Sequence, residues 1–102
     1  MLTFMHLPVG KGRVTLAIRH DKGADKAHCA LAFCSPKDVF TRKLGRIIAA
    51  GRLEHGVKHR FVFSVDETVR LKDAALKELR LYAGNVLHTF PRWAQQNWAD
   101  RV

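Results

Sequence analysis

The residues most able to do chemistry in this chain are the arginines and lysines between positions 36 and 60. That segment holds seven Lys or Arg and two Asp or Glu, whereas residues 61–102 hold six and five. The net charge of the 102 residues is +9, and most of it lies in the first 60. Charge that serves only solubility would be spread more evenly, so the sequence indicates an anionic partner.

The first predicted helix should carry the main contacts. Arg42 and Arg46 lie one turn apart on the same side, Lys43 flanks them, and Arg52 lies further round the helix. Guanidinium groups bind phosphate oxygens in a bidentate manner, and each neutralised phosphate releases counterions. The alternative is an ordinary solvated helix face. The full candidate anion-binding set, with auxiliaries from the sheet and the second half of the segment, is Arg42, Lys43, Arg46, Arg52, Arg13, Arg19, Lys58 and Arg60.

No catalytic or metal-binding motif is complete. His55 and His59 have the spacing of a helical pair, but Gly56 intervenes and no cysteine or carboxylate stands at zinc spacing. Cys34 precedes the predicted helix, where a dipole would favour a thiolate, yet no histidine supports it. We therefore expect a protein that is not an enzyme and that has no metal and no cofactor. A minor alternative is a nuclease that uses Asp21, Asp25 or Glu54.

Strands are predicted where apolar and polar residues alternate. Val14, Leu16 and Ile18 alternate with more polar residues, and two further runs repeat the pattern. A polar segment centred on Gly23 joins the first two runs and predicts a hairpin loop. The predicted strands are 13–19, 29–34 and 60–65, with a weaker one at 2–7.

The first helix is predicted over residues 35–54. Ser35 suits the N-cap, Pro36 the first helical position, and Asp38 completes a capping box. The apolar stripe expected to face the core is Phe40, Leu44, Ile47, Ile48 and Gly51.

The second helix is predicted from Ser64 or Asp66 onward. Its core face comprises Val69, Ala75, Leu76, Leu79, Ala83 and Val86, and its solvated face comprises Arg70, Asp73, Lys77 and Arg80. A further helical turn should begin near Thr89, after Gly84 and Asn85. Phe90, Trp93 and Trp98 then either pack back on the domain or anchor a partner.

The element order (β)ββαβα predicts an α+β fold, a two-layer sandwich with a small mixed sheet and both helices on one face. The strands on either side of the first helix should be parallel, joined by a right-handed crossover. The open sheet face would then show Arg13, Thr15, Arg19 and Arg60. We expect one compact domain over residues 1–88 and an aromatic extension over residues 89–102.

The run Cys-Ser-Pro-Lys-Asp-x-Phe-x-Arg-Lys-x-Gly-Arg-x-Ile-Ala-x-Gly-Arg-Leu, residues 34–53, resembles small uncharacterised proteins of phages and other mobile elements. It covers about a fifth of the chain. The resemblance implies traffic with nucleic acid or interference with host machinery, and it assigns no functional residue.

Localisation is expected to be cytoplasmic. Cys29 and Cys34 should lie on opposite faces of one strand, too divergent for a disulfide, and no signal peptide or membrane span is visible. The first hypothesis is a small basic protein that binds DNA or RNA through the phosphate backbone. The alternative is an inhibitor or adaptor that docks its basic face and the C-terminal tryptophans on an acidic protein surface. The sequence leaves a homodimer open.

Overall fold

Four strands form one sheet in the order β1-β2-β3-β4 in the computed structural model, which describes residues 1–98. Every neighbouring pair is antiparallel. The elements are β1 (Leu2–Val9), β2 (Gly12–Arg19), β3 (Lys26–Cys34), α1 (Arg42–His55), β4 (Arg60–Ser64), α2 (Leu71–Val86), a 3₁₀ turn (Leu87–Thr89) and α3 (Arg92–Asn97). All four predicted strands are confirmed, including the weak one at the N-terminus.

The face that α1 covers is built from small side chains. Ala17, Ala30 and Ala32 are buried there beneath Ala49 and Leu53 of the helix. Gly45 comes so close to the Thr15 side chain that a Cβ at this position would clash with its hydroxyl oxygen. The helix therefore lies close to the sheet, and only small residues fit beneath most of it.

The opposite face of the sheet carries the main hydrophobic core. Val14, Leu16, Ile18 and Leu31 are fully buried on this side. They pack in one cluster with the α2 residues Ala75, Leu79 and Ala83 and with Phe90, Ala94 and Trp98 from the C-terminal segment. The prediction of the α2 core face is thus correct for its central residues. Val69, which was predicted to belong to that face, precedes the helix and is exposed.

The α+β class and the packing of a helix layer on the sheet are confirmed, and two details of the prediction are wrong. The sheet is antiparallel throughout, because α1 crosses the strands instead of running back along them: Gly45 lies over Thr15, and Gly56 meets Arg60 of β4. The two helices occupy opposite faces, because β2 and β3 are apolar on both sides. The face predicted to be open is therefore covered at its centre, where Thr15 is 1% exposed.

Both long helices begin later than predicted. Ser35 and Asp38 close a turn, with the Asp38 N–H donating to the Ser35 carbonyl (3.0 Å), and Thr41 caps α1 by accepting from the Leu44 N–H (3.2 Å). Ser64 is still in β4, and Asp66 accepts from the Thr68 N–H (2.9 Å) in a turn before α2. Ser35 and Asp66, which were predicted to cap α1 and α2, thus form turns, and each helix starts several residues further along the chain.

The apolar stripe of α1 faces away from the core, contrary to the prediction. Leu44 is 53% exposed, Ile47 58% and Ile48 38%, while Ala49 and Leu53 face the sheet. We call Leu44, Ile47, Ile48 and Gly51 the α1 stripe. Large side chains on the inner face would hold the helix off the alanines beneath it, so the small face goes in and the stripe is left outside.

The C-terminal segment packs on the domain as far as it is described. Phe90 is 3% and Trp98 6% exposed, and the Trp93 ring lies against Gly12. Residues 99–102 of the predicted extension lie outside the described residues. Cys29 and Cys34 lie on opposite faces as expected, and both thiols are free.

The register of α1 can be tested by two matched leucine truncations. Leu53→Ala should lower the free energy of unfolding by about 2–5 kcal/mol, since it opens a cavity between helix and sheet. Leu44→Ala should change it by less than about 0.5 kcal/mol, because that side chain is largely in solvent. Urea unfolding at low protein concentration measures both. Equal losses, or a larger loss for Leu44→Ala, would contradict the structure.

Candidate nucleic-acid interface

The basic side chains have very few carboxylate neighbours. Within residues 1–98 the ion pairs are those of the Met1 amino group with Asp21 (3.5 Å) and of His55 with Glu54 (3.7 Å). No lysine or arginine side chain in that range is paired with a carboxylate. Their charge is therefore not neutralised locally and remains available to an external anion.

Arg42, Lys43 and Arg46 lie together in the first two turns of α1, and we call them the α1 cations. All three side chains are exposed. The first turn of α1 contains no acidic residue. The helix macrodipole places partial positive charge at this end and disfavours cations there by about 0.3–1 kcal/mol each. Folding alone therefore gives no reason to place these three side chains at this position.

The pKa of His6, in β1, responds to the positive charge of the α1 cations. Its Nδ1 lies 2.9 Å from the Thr15 Oγ1, and its ring meets the edge of Phe40 with centroids 5.4 Å apart. Partial burial lowers the pKa of His6 from its ordinary value, and the charges of Arg42 and Arg46 lower it further. The two guanidinium groups are thus close enough to the β1 side of the sheet to influence it. The sequence prediction did not include His6, since a lone histidine in a strand carries no motif.

Three other residues of the predicted anion-binding set donate hydrogen bonds to backbone carbonyls of the protein itself. Arg52 is half-buried and donates from Nη1 to the Leu31 carbonyl, and burial lowers its pKa. Arg60 donates to the Gly56 carbonyl (2.7 Å) just past the end of α1, and Arg13 donates to the Gly12 carbonyl (3.0 Å). The contacts of Arg52 and Arg60 tie helix and strands together, whereas that of Arg13 stays within β2. Spacing along the chain could not reveal these roles.

The last two predicted members lie away from the α1 cations. Arg19 pairs with His28 across β2 and β3, and Lys58 is exposed in the loop after α1. The 14 residues of α1 place its two ends about 20 Å apart, so Lys58 and the α1 cations do not form one cluster. The structure therefore joins three of the eight predicted residues into a compact site.

The histidine pair at the end of α1 does not share a face. His55 is exposed, whereas His59 adopts a positive φ of 59° and packs between Phe33 and Phe90. Burial lowers the pKa of His59, with Arg52 and Lys58 adding to the effect. Within the described part of the chain, no three His, Cys, Asp or Glu side chains are grouped so that they could hold a metal ion.

The two cysteines have no evident reactive role. Burial raises the pKa of Cys29 to about 12, which keeps the thiol protonated. Cys34 does not lie at the start of α1, because the helix begins only at Arg42. It lines a cavity of about 380 Å³ between α1 and residues 38–41, together with Phe40, Leu44 and Ile48.

Comparison of the chain with models of known protein families, with curated proteins and with solved structures gives no match in any of the three. The resemblance to mobile-element proteins therefore stays a prediction. Among residues 1–98, no helix is both long and apolar enough to cross a membrane. The geometry of the α1 cations is what remains to support a function.

The field of the α1 cations can be measured at His6 by NMR titration. Arg42→Gln removes a positive charge that opposes protonation, so the pKa of His6 should rise toward the ordinary histidine value. Arg80→Gln, an equal change on the solvated face of α2, should leave it where it is. Equal shifts in both variants, or none in Arg42→Gln, would contradict the placement of Arg42 beside β1.

Proposed function

We propose that this protein binds nucleic acid through the phosphate backbone, with Arg42, Lys43 and Arg46 as the contact residues. The observation that carries the proposal is the position of these cations. They stand at the positive end of a helix with no acidic residue in its first turn and no carboxylate paired to them within residues 1–98. A phosphate bound there would interact favourably with both the side chains and the helix N-terminus.

Backbone contact without base recognition fits the surroundings of the site. Both faces of the sheet are covered at their centres, one by α1 and the other by α2 and the C-terminal segment. Stacking of bases on strand aromatics needs an open sheet face. The α1 cations can position a nucleic acid through contacts to its phosphates, and such contacts carry no sequence information directly.

The alternative, an adaptor anchored on a partner by its C-terminal aromatics, has less support. Phe90 and Trp98 are buried in the domain's own core, and only Trp93 keeps appreciable exposed surface. An acidic protein surface could still bind the α1 cations by charge alone. The nuclease alternative has no metal-binding group among the described residues to support it.

Binding should be measured by fluorescence anisotropy on duplex DNA, single-stranded DNA and RNA over a salt series. Wild-type affinity should fall steeply with salt. In Arg42→Ala/Arg46→Ala, binding should weaken and the slope of log K against log salt should decrease by about 2, because two phosphate contacts are lost.

The matched control is Lys77→Ala/Arg80→Ala, which removes the same charge from the solvated face of α2. It should leave the slope close to that of the wild type. No binding at about 50 mM salt, a salt-independent affinity, or equal effects of the two double variants would refute the proposal. A pull-down from nuclease-treated lysate that yields one stoichiometric protein, lost in Arg42→Ala/Arg46→Ala, would favour the protein-partner alternative.

A further inference from the structure

The α1 stripe is a row of large apolar side chains that the described part of the fold leaves exposed. Leu44, Ile47 and Ile48 project from one side of the helix, and Val39 in the preceding loop is exposed as well. Gly51 continues the stripe, and nothing lies within 4 Å of the point where its Cβ would be. Contiguous exposed apolar side chains of this kind mark interaction surfaces rather than ordinary solvated faces.

We propose that the α1 stripe is the interface of a homodimer in which α1 packs antiparallel on α1 of a second copy. The two-fold axis would pass between Ile47 and Ile48. Ile47 of one copy would then contact Ile48 of the second copy, and the reverse. The stripe lies on a different side of the helix from Arg42 and Arg46, whose charges act on His6 at the sheet. Lys43 stands at the edge of both surfaces, so the dimer is tested without nucleic acid.

Charge complementarity identifies the occupant as a second copy. Glu54 is the only acidic residue of α1, and Lys43 lies eleven positions before it, close to three full turns, so both flank Ile47 on one edge of the stripe. In an antiparallel helix pair, residues on the same edge of the two helices face each other. With the axis between Ile47 and Ile48, Lys43 would lie two positions, about 3 Å along the helix, from the level of Glu54 of the second copy. The two long side chains can span that offset, and the two-fold axis generates the pair twice.

Gly51 supports the same arrangement. Glycine in the middle of a helix costs about 1 kcal/mol relative to alanine. Nothing in the described part of the chain requires it at this position, since a Cβ there would meet open space. The same two-fold axis places Leu44 of the second copy opposite Gly51. The absent side chain would then leave room for that leucine and let the helices approach closely.

The size of the α1 stripe determines how tightly the two copies should bind each other. A single helix face buries less than the ~1,200 Å² of a standard stable interface, so the dimer should dissociate in the micromolar range. Sedimentation velocity without nucleic acid, from about 1 µM to about 1 mM, should show a monomer–dimer equilibrium for the wild type. Ile47→Glu places a charge at the centre of the stripe and should weaken the dimer more than tenfold.

A charge swap tests the antiparallel arrangement itself. Lys43→Glu sets like charges opposite each other and should weaken the dimer, whereas Lys43→Glu/Glu54→Lys should restore it to near wild-type strength. Lys77→Glu, the same change on the solvated face of α2, should have no effect, and thermal unfolding checks that each variant is folded. A wild type that stays monomeric up to about 1 mM overturns the proposal. A dimer that is unaffected by Ile47→Glu, or not restored by the swap, does so too.

Discussion

The close contact between α1 and the sheet is the constraint on which the rest of this structure depends. Ala17, Ala30 and Ala32 form a shallow surface, and Gly45 and Ala49 let the helix descend onto it. A helix held this close turns inward the side that carries Gly45 and Ala49, with Leu53 near its C-terminal end. Leu44, Ile47 and Ile48 are then left toward solvent, and the cations of the first two turns come to lie beside β1.

The same contact determines which arginines stay available. At the C-terminal end of α1, Arg52 donates to the Leu31 carbonyl and Arg60 to the Gly56 carbonyl. The Leu31 contact is partly buried, where an unpaired carbonyl would be costly, so the fold holds the Arg52 guanidinium group. At the N-terminal end no comparable acceptor binds the α1 cations among the described residues. The charge excess of one segment is thus divided into a structural half and a half that is open to ligands.

The sequence predicted the strands and the core face of α2 because these elements follow simple periods. Val14, Leu16 and Ile18 alternate, and Ala75, Leu79 and Ala83 recur every four residues, so each pattern has one natural interpretation. Burial confirms both. The exposure of the α1 cations could also be anticipated, since three basic residues within the first five positions of a helix rarely face a core.

The orientation of α1 could not be predicted, because it depends on what lies beneath the helix. Leu44, Ile47 and Ile48 have the spacing of a core stripe, while Gly45 and Ala49 on the other side look like filler. Only the alanines of β2 and β3, distant in sequence, reverse that preference. Ser35, the predicted N-cap, closes a turn instead and Thr41 caps the helix, because residues of this kind can do either. The hydrogen bonds of Arg52 and Arg60 likewise join groups that become neighbours only in the folded chain.

The buried face of α1, the α1 stripe and the α1 cations can be understood together, as features that suit a weak contact with a ligand. In the proposed complex the three cations of one copy would release only a few counterions, so binding to a phosphate backbone would be modest and easily lost to salt. Pairing of two copies through the stripe would join two such sites at fixed spacing, and the second contact would then form at a high effective concentration. The apolar stripe is costly to a monomer in water, and so are cations at a helix N-terminus. In the proposed dimer bound to a polyanion both features would become favourable, which would explain why one helix carries them together.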